Sequence, residues 1–275
     1  MHVDADGIDE RLAAAWYSPR ERTDIAFLHL HGKGGNFYTG PGLFVPLHDD
    51  THEFAHLSLN MRCHDLGYTR YDVPMPDVTK GHVQVAGGMW EQLSSGHVDV
   101  AAGVSWLREQ GHTRIFLVGH SSGAYYALES SADHGIDVAG VVLLSSVISY
   151  KRHLNAWFAE GLDVAVDRAR SLVARGEGHR LMPIESWYYA ISAVSLLERV
   201  DQDDDAFEQL LERNAAPVMF VCGDAEARLP QWREQYDRVA SDRKQWLVLS
   251  GASHDYIGAE GVLTEEILRF ARHWA

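Results

Sequence analysis

The sequence predicts a doubly wound α/β fold on a mostly parallel sheet, and three observations carry that expectation. Short apolar runs bounded by turn residues recur along the chain, and most are continuous rather than alternating. Strands look like this when helices cover both faces of a parallel sheet. Segments with helical spacing fall between several of the runs, so strand and helix alternate. Finally, Leu117-Val118-Gly119-His120-Ser121-Ser122-Gly123 sets a serine between two glycines where one strand gives way to a helix. A corner that tight needs small neighbours so that the backbone can turn without collision.

Taken in order, strands are expected at residues 25–30, 54–59, 115–118, 138–144, 218–222 and 246–249. The first helix with clear periodicity covers 97–110, where Val98, Ala101, Ala102, Trp106 and Leu107 form the apolar side and Gly111 marks the exit. A second helix over 123–133 follows the serine corner, and two more cover 231–240 and 263–274. Between the strand ending near Ser145 and the one starting at Val218 lie about seventy residues with helical patterns, large aromatics and no convincing strand. The expected organisation is a core of residues 1–145 and 217–275, with residues 146–216 as a helical cap over the carboxyl edge of the sheet. Asp201, Asp203, Asp204 and Asp205 read as a solvated run at a helix start rather than a calcium loop. The irregular stretch 65–88, with Pro74 and Pro76, reads as a surface connection, with a part in substrate access as the alternative.

Composition narrows the partners. A formal net charge of -15 over 275 residues opposes phosphate-backbone binding, which needs Lys and Arg, so no nucleic-acid partner is expected. No apolar run approaches the roughly 20 residues that span a bilayer, so no membrane insertion is expected. The start, Met1-His2-Val3-Asp4-Ala5-Asp6-Gly7, is acidic and lacks the basic and apolar parts of a secretory leader, which makes the cytoplasm the expected location. Cys63 and Cys222 read as buried free thiols, and no cysteine metal site fits. A homodimer is compatible with these features.

A serine hydroxyl is a weak nucleophile. If Ser121 reacts, the chain must also supply a histidine base, an acid to orient it and backbone donors for an oxyanion. Among 16 histidines, His254 in Gly251-Ala252-Ser253-His254-Asp255 stands out, in the loop after the last strand and before the terminal helix. The loop Gly223-Asp224-Ala225-Glu226-Ala227-Arg228-Leu229-Pro230 offers two carboxylates for the acid, and either Glu226 or Asp224 could reach the imidazole.

With these motifs the chain resembles the α/β-hydrolase superfamily, as a serine esterase or lipase-like member, from the strand at residue 25 to the terminal helix. The resemblance implies a cap inserted after the sixth strand and favours Glu226 as the acid, because it stands three residues after Gly223 and four before Pro230. Glutamate departs from the commoner aspartate by one methylene. His29-Leu30-His31-Gly32-Lys33-Gly34-Gly35-Asn36 looks like the superfamily's oxyanion loop, which implies the N–H groups of Ser122 and Lys33 as donors, with Gly34 as the alternate. Asn60-Met61-Arg62-Cys63-His64-Asp65 is similar to the loop after the next strand, where the arginine is structural. The His-Gly-Lys-Gly-Gly-Asn and Ala-Ser-His-Asp-Tyr contexts are also loosely similar to intracellular siderophore esterases.

The glycine-rich loop lacks Walker and dinucleotide spacing, so nucleotide binding is not expected. His48, His52 and His56 recur every four residues and could share a helical face, but nearby acids favour a solvated surface, and no metal is assigned. His31 is the pocket-lining histidine, whereas His120 reads as packing. Trp157, Trp187 and Tyr188 are the cap residues expected to bind substrate, with Phe158 and Tyr189 beside them.

The expected function is therefore hydrolysis of a carboxylic ester or lactone of a small to medium organic molecule through an acyl-enzyme, without a cofactor. Ser121 would be the nucleophile, His254 the base and Glu226 the orienting acid. Amidase, carbon–carbon bond hydrolase and acyltransferase activities share this machinery, and a non-catalytic ligand-binding protein is the alternative of another class.

Overall fold

The computed structural model describes residues 2–5, 10–71, 83–147, 149–184, 189–239 and 242–275. The chain enters through β1 (His2–Ala5) and β2 (Glu10–Tyr17), then forms β3 (Ile25–Leu30), α1 (Pro41–Leu47) and β4 (Ala55–Leu59). A two-stranded pair follows, β5 (Tyr68–Tyr71) with β6 (Val83–Ala86), and then α2 (Gly96–Glu109), β7 (Arg114–His120), α3 (Ser122–Ala132) and β8 (Gly140–Leu144). The next segment holds α4 (Tyr150–Asn155), α5 (Leu162–Ala174), β9 (Leu181–Ile184), β10 (Tyr189–Ser192), α6 (Ala193–Val200) and α7 (Ala206–Arg213). The chain closes with β11 (Val218–Gly223), α8 (Leu229–Arg238), β12 (Lys244–Leu249) and α9 (Glu260–Trp274).

Eight strands make one sheet in the order β1-β2-β4-β3-β7-β8-β11-β12. The six from β4 to β12 run parallel, and β2 joins β4 antiparallel. Continuous apolarity in the parallel strands has a direct cause. Successive side chains point to opposite faces, and both faces are covered. Ala26, Leu28 and Leu30 of β3 pack with α2, α3 and α7 on one side, while Ile25 and Phe27 pack with α9 on the other. Ile115 and Leu117 of β7, and Val141 and Leu143 of β8, follow the same division from Phe116, Val118, Val142 and Leu144. Each such large side chain contributes roughly 1.5–3 kcal/mol on burial.

The doubly wound sheet is as the sequence predicts, and β8, which precedes the long insertion, is the sixth strand of that sheet in chain order. Sequence reasoning missed β1 and β2. β2 reads Glu-Arg-Leu-Ala-Ala-Ala-Trp-Tyr, and its alanines carry little strand preference of their own. Its pairing with β4, Ala14 opposite Leu59, supplies what local propensity lacks. Within 146–216, where no strand is expected, β9 and β10 pair antiparallel over four residues each. The run is short and contains Pro183, so its pattern is weak.

Residues 146–216 divide in their packing. Leu154, Phe158, Leu162, Val166, Leu172, Met182, Ile191 and Leu196 form an apolar cluster of their own, whereas Phe207, Leu210 and Leu211 of α7 join the core under the sheet. His48, His52 and His56 do not share a helical face. His48 ends α1, His52 sits in a turn at φ 46°, and His56 is a buried residue of β4 bonded to His29 and Asp49. Both cysteines are free and buried. Among the described residues no helix is long and apolar enough to cross a membrane.

Candidate active site

Strand order changes direction at β3. From there the chain goes outward to β4 on one side and to β7 on the other. Loops leaving the carboxyl ends of β3 and β7 therefore diverge and open a crevice, the usual ligand position in an open α/β sheet. His31-Gly32-Lys33 leaves β3 and Ser121 leaves β7 at this point.

Ser121 has φ 56° and ψ −117°, a conformation that costs a non-glycine residue about 1–3 kcal/mol. The neighbours hold it there. Its N–H donates to the Leu144 carbonyl at 2.9 Å, and the flanking glycines let three backbones touch. A Cβ on Gly119 would lie 2.3 Å from the Gly123 carbonyl oxygen, and one on Gly123 would lie 2.3 Å from that of Leu30. A Cβ on Gly32 would come within 2.9 Å of the Ser121 Cβ, which places the β3 loop directly against the serine. Ser122 is the first residue of α3, so its N–H has no carbonyl partner within the helix.

The β3 loop is fixed from below. His31 is buried; its Nδ1 lies 2.8 Å from the Gly32 carbonyl oxygen, and its Nε2 accepts the Met61 N–H at 3.0 Å. Burial lowers its pKa to about 4, so the ring is neutral at ordinary pH. Asn36 donates to Asp65 at 2.8 Å, and Asn60 accepts the Phe37 N–H at 2.7 Å. Arg62 grips the fully buried Asp99 through its backbone N–H at 2.8 Å and its guanidinium at 2.6 and 2.9 Å.

The Lys33 side chain turns inward. Its Nζ donates to the Gly88 carbonyl and, at 3.2 Å, to Glu91, which also holds Arg199 of α6 and the Tyr126 hydroxyl of α3 at 2.7 Å. Burial opposes ionisation of Glu91, but Lys33, Arg199 and the hydrogen bonds outweigh it and bring its pKa to about 2. The two partners of the Lys33–Glu91 pair do not gain equally. Burial and the Arg199 charge lower Lys33 to about 8, because Arg199 already neutralises the shared carboxylate.

On the other side of Ser121, His254 Nδ1 stands 3.0 Å from Glu226 Oε2. The second Glu226 oxygen accepts the Ser145 hydroxyl at 2.5 Å and the Gly223 N–H at 3.3 Å. Burial pushes the Glu226 carboxyl up, yet the His254 and Ser145 bonds prevail and hold it below the usual carboxylate range. The Tyr256 hydroxyl, 2.6 Å from Ser145 Oγ and 2.9 Å from the Val221 carbonyl oxygen, extends the chain into the core. Asp224 is used differently: it accepts the Gly251 N–H at 2.6 Å and closes the turn after β12. His120 joins the serine corner to the histidine loop. Its Nε2 lies 2.8 Å from the His254 carbonyl oxygen, and the two rings are 4.7 Å apart. Burial and the neighbouring His254 lower the His120 pKa to about 3, so the neutral ring donates through Nε2.

The model of the alpha/beta hydrolase family matches residues 27–275. The chain belongs to the α/β-hydrolase family. No curated protein matches it in sequence. Among solved structures it is similar to Est1E from Butyrivibrio proteoclasticus with bound ferulic acid, at 16% identity and a TM-score of 0.70, over 100% of this chain and 98% of that one. A monoacylglycerol lipase from Paleococcus ferrophilus aligns at 17% identity and a TM-score of 0.65, over 96% of this chain and 99% of that one. A thermostable carboxyl esterase from Bacillus coagulans aligns at 12% identity and 0.67, over 100% and 97%. At such identities the likeness is one of fold.

In this α/β-hydrolase, Trp157 is half-buried and packs against the apolar cluster of residues 146–216, with Phe158 inside that cluster. Trp187 and Tyr188 lie outside the described residues. Sequence reasoning missed Ser145, Tyr256, Glu91 and Arg199, and it read His120 as packing alone. Ser145 ends a strand as Ser121 does, and also has positive φ, at 46°; its place at a strand exit beside the acid loop was the available signal.

Proposed function

We propose that this α/β-hydrolase is a serine-dependent carboxylic ester hydrolase working through an acyl-enzyme. The observation that carries the reading is the Glu226–His254 hydrogen bond, 3.0 Å, beside a serine held at φ 56° on the strand corner. A carboxylate on Nδ1 fixes the tautomer that presents Nε2 as a base and favours the imidazolium once it forms.

In the first half-reaction Ser121 Oγ bonds to the substrate carbonyl carbon while His254 Nε2 takes the hydroxyl proton. The carbonyl oxygen becomes an oxyanion facing the N–H groups of Ser122 and Lys33, each worth about 3 kcal/mol in the transition state. The ester C–O bond then breaks, and the alcohol leaves with the proton from His254. In the second half, water adds to the acyl carbon by the same route, the bond to Ser121 breaks, and the carboxylic acid departs. A lactone would follow the same steps with alcohol and acid in one product.

Residues 146–216 act in this reading as the cap that selects the acyl or alcohol group. A small to medium organic ester is the proposed substrate, and what the similar structures bind or are, ferulic acid, a monoacylglycerol lipase and a carboxyl esterase, is in keeping with it. The test is turnover of a series of p-nitrophenyl esters. Wild type should release nitrophenolate with saturation kinetics, and Ser121→Ala should fall to the rate of buffer. Equal release by both proteins overturns the proposal.

A further inference from the structure

Away from the serine corner, the start of α2 meets the end of α3. His97 lies in the first turn of α2, Glu129 in the last turn of α3, and His134 just beyond it. One donor atom from each lies within 4.8 Å of the other two. The two imidazoles stack with centroids 3.7 Å apart and planes 6° from parallel.

Two atoms in this group lack a partner. His97 Nδ1 and Glu129 Oε2 are buried without any hydrogen bond, and an orphaned buried polar atom costs about 1–3 kcal/mol, more if charged. Elsewhere the surroundings are organised. The Tyr125 hydroxyl, which accepts from Gln202 at 2.7 Å, stands 3.5 Å from Glu129 Oε1. Arg62, the cation acting on His97, is committed to Asp99.

We propose that His97, Glu129 and His134 form a binding site for a divalent transition-metal ion, with zinc as the best fit. Two imidazoles and a carboxylate are the usual nitrogen and oxygen donors of zinc, and bonds of about 2.1 Å require donors about 3.4 Å apart. A metal binds in the plane of an imidazole, so the exposed His134 ring has to turn out of its stack on His97, with the Glu129 side chain following, for the three donors to reach that range. His134 is exposed, which leaves a position for water. The ion would give the three side chains one shared partner and pin the start of α2 to the end of α3. Glu129 is eight residues along α3 from Ser121, about 12 Å of helix, so the role is structural and separate from ester chemistry.

The local sequence carries no metal signature, because the ligands come from two helices and a turn. The test is zinc uptake by the full chain. Protein stripped with a chelator is dialysed against Zn2+, and bound metal is counted by mass spectrometry while thermal unfolding is followed in parallel. Wild type should take up one saturable equivalent and unfold at a higher temperature with zinc. His134→Ala, at an exposed position that leaves the fold intact, should weaken uptake by roughly tenfold or more and remove the thermal shift. Glu129→Gln should do the same, while the exposed His48→Ala should bind as wild type does. Co2+ should give visible d–d bands in wild type and not in His134→Ala. No saturable uptake, or uptake unchanged by His134→Ala and Glu129→Gln, overturns the proposal.

Discussion

Arg199 of α6 binds Glu91 twice, with Nη1 2.9 Å from the Glu91 carbonyl oxygen and Nη2 on its carboxylate. Both side chains are buried, and the same carboxylate carries Lys33 from the β3 loop and Tyr126 from the helix behind Ser121. One acid therefore ties the β3 loop and the helix that follows Ser121 to residues 146–216.

Removing one member of such a group strands its partners. Arg199→Met should destabilise the protein by about 3–5 kcal/mol, because Glu91 and Lys33 then carry the buried charge alone. Urea unfolding should show this as a lower midpoint at unchanged slope. A change under about 1 kcal/mol would mean that water replaces the guanidinium.

Acid should destabilise the protein over two overlapping pH ranges. His31 and His120 have folded pKa values of about 4 and about 3, below the ordinary 6.5. Between these limits the unfolded chain binds protons that the folded chain refuses, so stability falls as pH drops below about 6.5. Glu91 adds to this lower down. Its folded value of about 2 lies below the ordinary 4.5, so its contribution is complete above the unfolded pKa and is lost as pH falls through the folded one. Stability measured from pH 7 to pH 3 should decline throughout, and Glu91→Gln should flatten the part below pH 4.5.

What was legible in the sequence follows from chain locality. Ser121, Glu226 and His254 each sit a few residues past an apolar run, so strand exits mark them without knowledge of packing. Most of the parallel strands were visible because they are apolar on both faces, as β8 is with Gly-Val-Val-Leu-Leu. β2 was not, since its alanines gain strand character only beside β4. Glu91 and Arg199 are far apart in the chain, and no local pattern announces that a lone glutamate in a loop will meet a helical arginine inside the core. The His97–Glu129–His134 group was hidden for the same reason.

The two carboxylates of the acid loop separate cleanly in the structure, so their variants should too. Glu226→Gln keeps the shape but loses the charge behind His254, and kcat for a p-nitrophenyl ester should fall roughly 10³- to 10⁴-fold. Asp224→Asn touches only the Gly251 turn, and kcat should change by less than about threefold, since exposed substitutions stay within about 0.5 kcal/mol. The reverse ranking would transfer the orienting role to Asp224.

His120 should act on rate through the position of His254. His120→Phe removes the 2.8 Å donor to the His254 carbonyl; the loss of one hydrogen bond of about 1 kcal/mol predicts a severalfold fall in kcat with KM unchanged. Steady-state kinetics on one ester separates this from a binding defect, in which KM would rise at constant kcat.

Covalent modification by a fluorophosphonate, mapped by peptide mass spectrometry, tests the nucleophile most directly. Wild type should lose ester turnover in step with phosphonylation of one peptide, the adduct lying on Ser121, and Ser121→Ala should take up none. An adduct on a different residue that tracks the loss of turnover, or turnover that survives in Ser121→Ala, would contradict the serine mechanism.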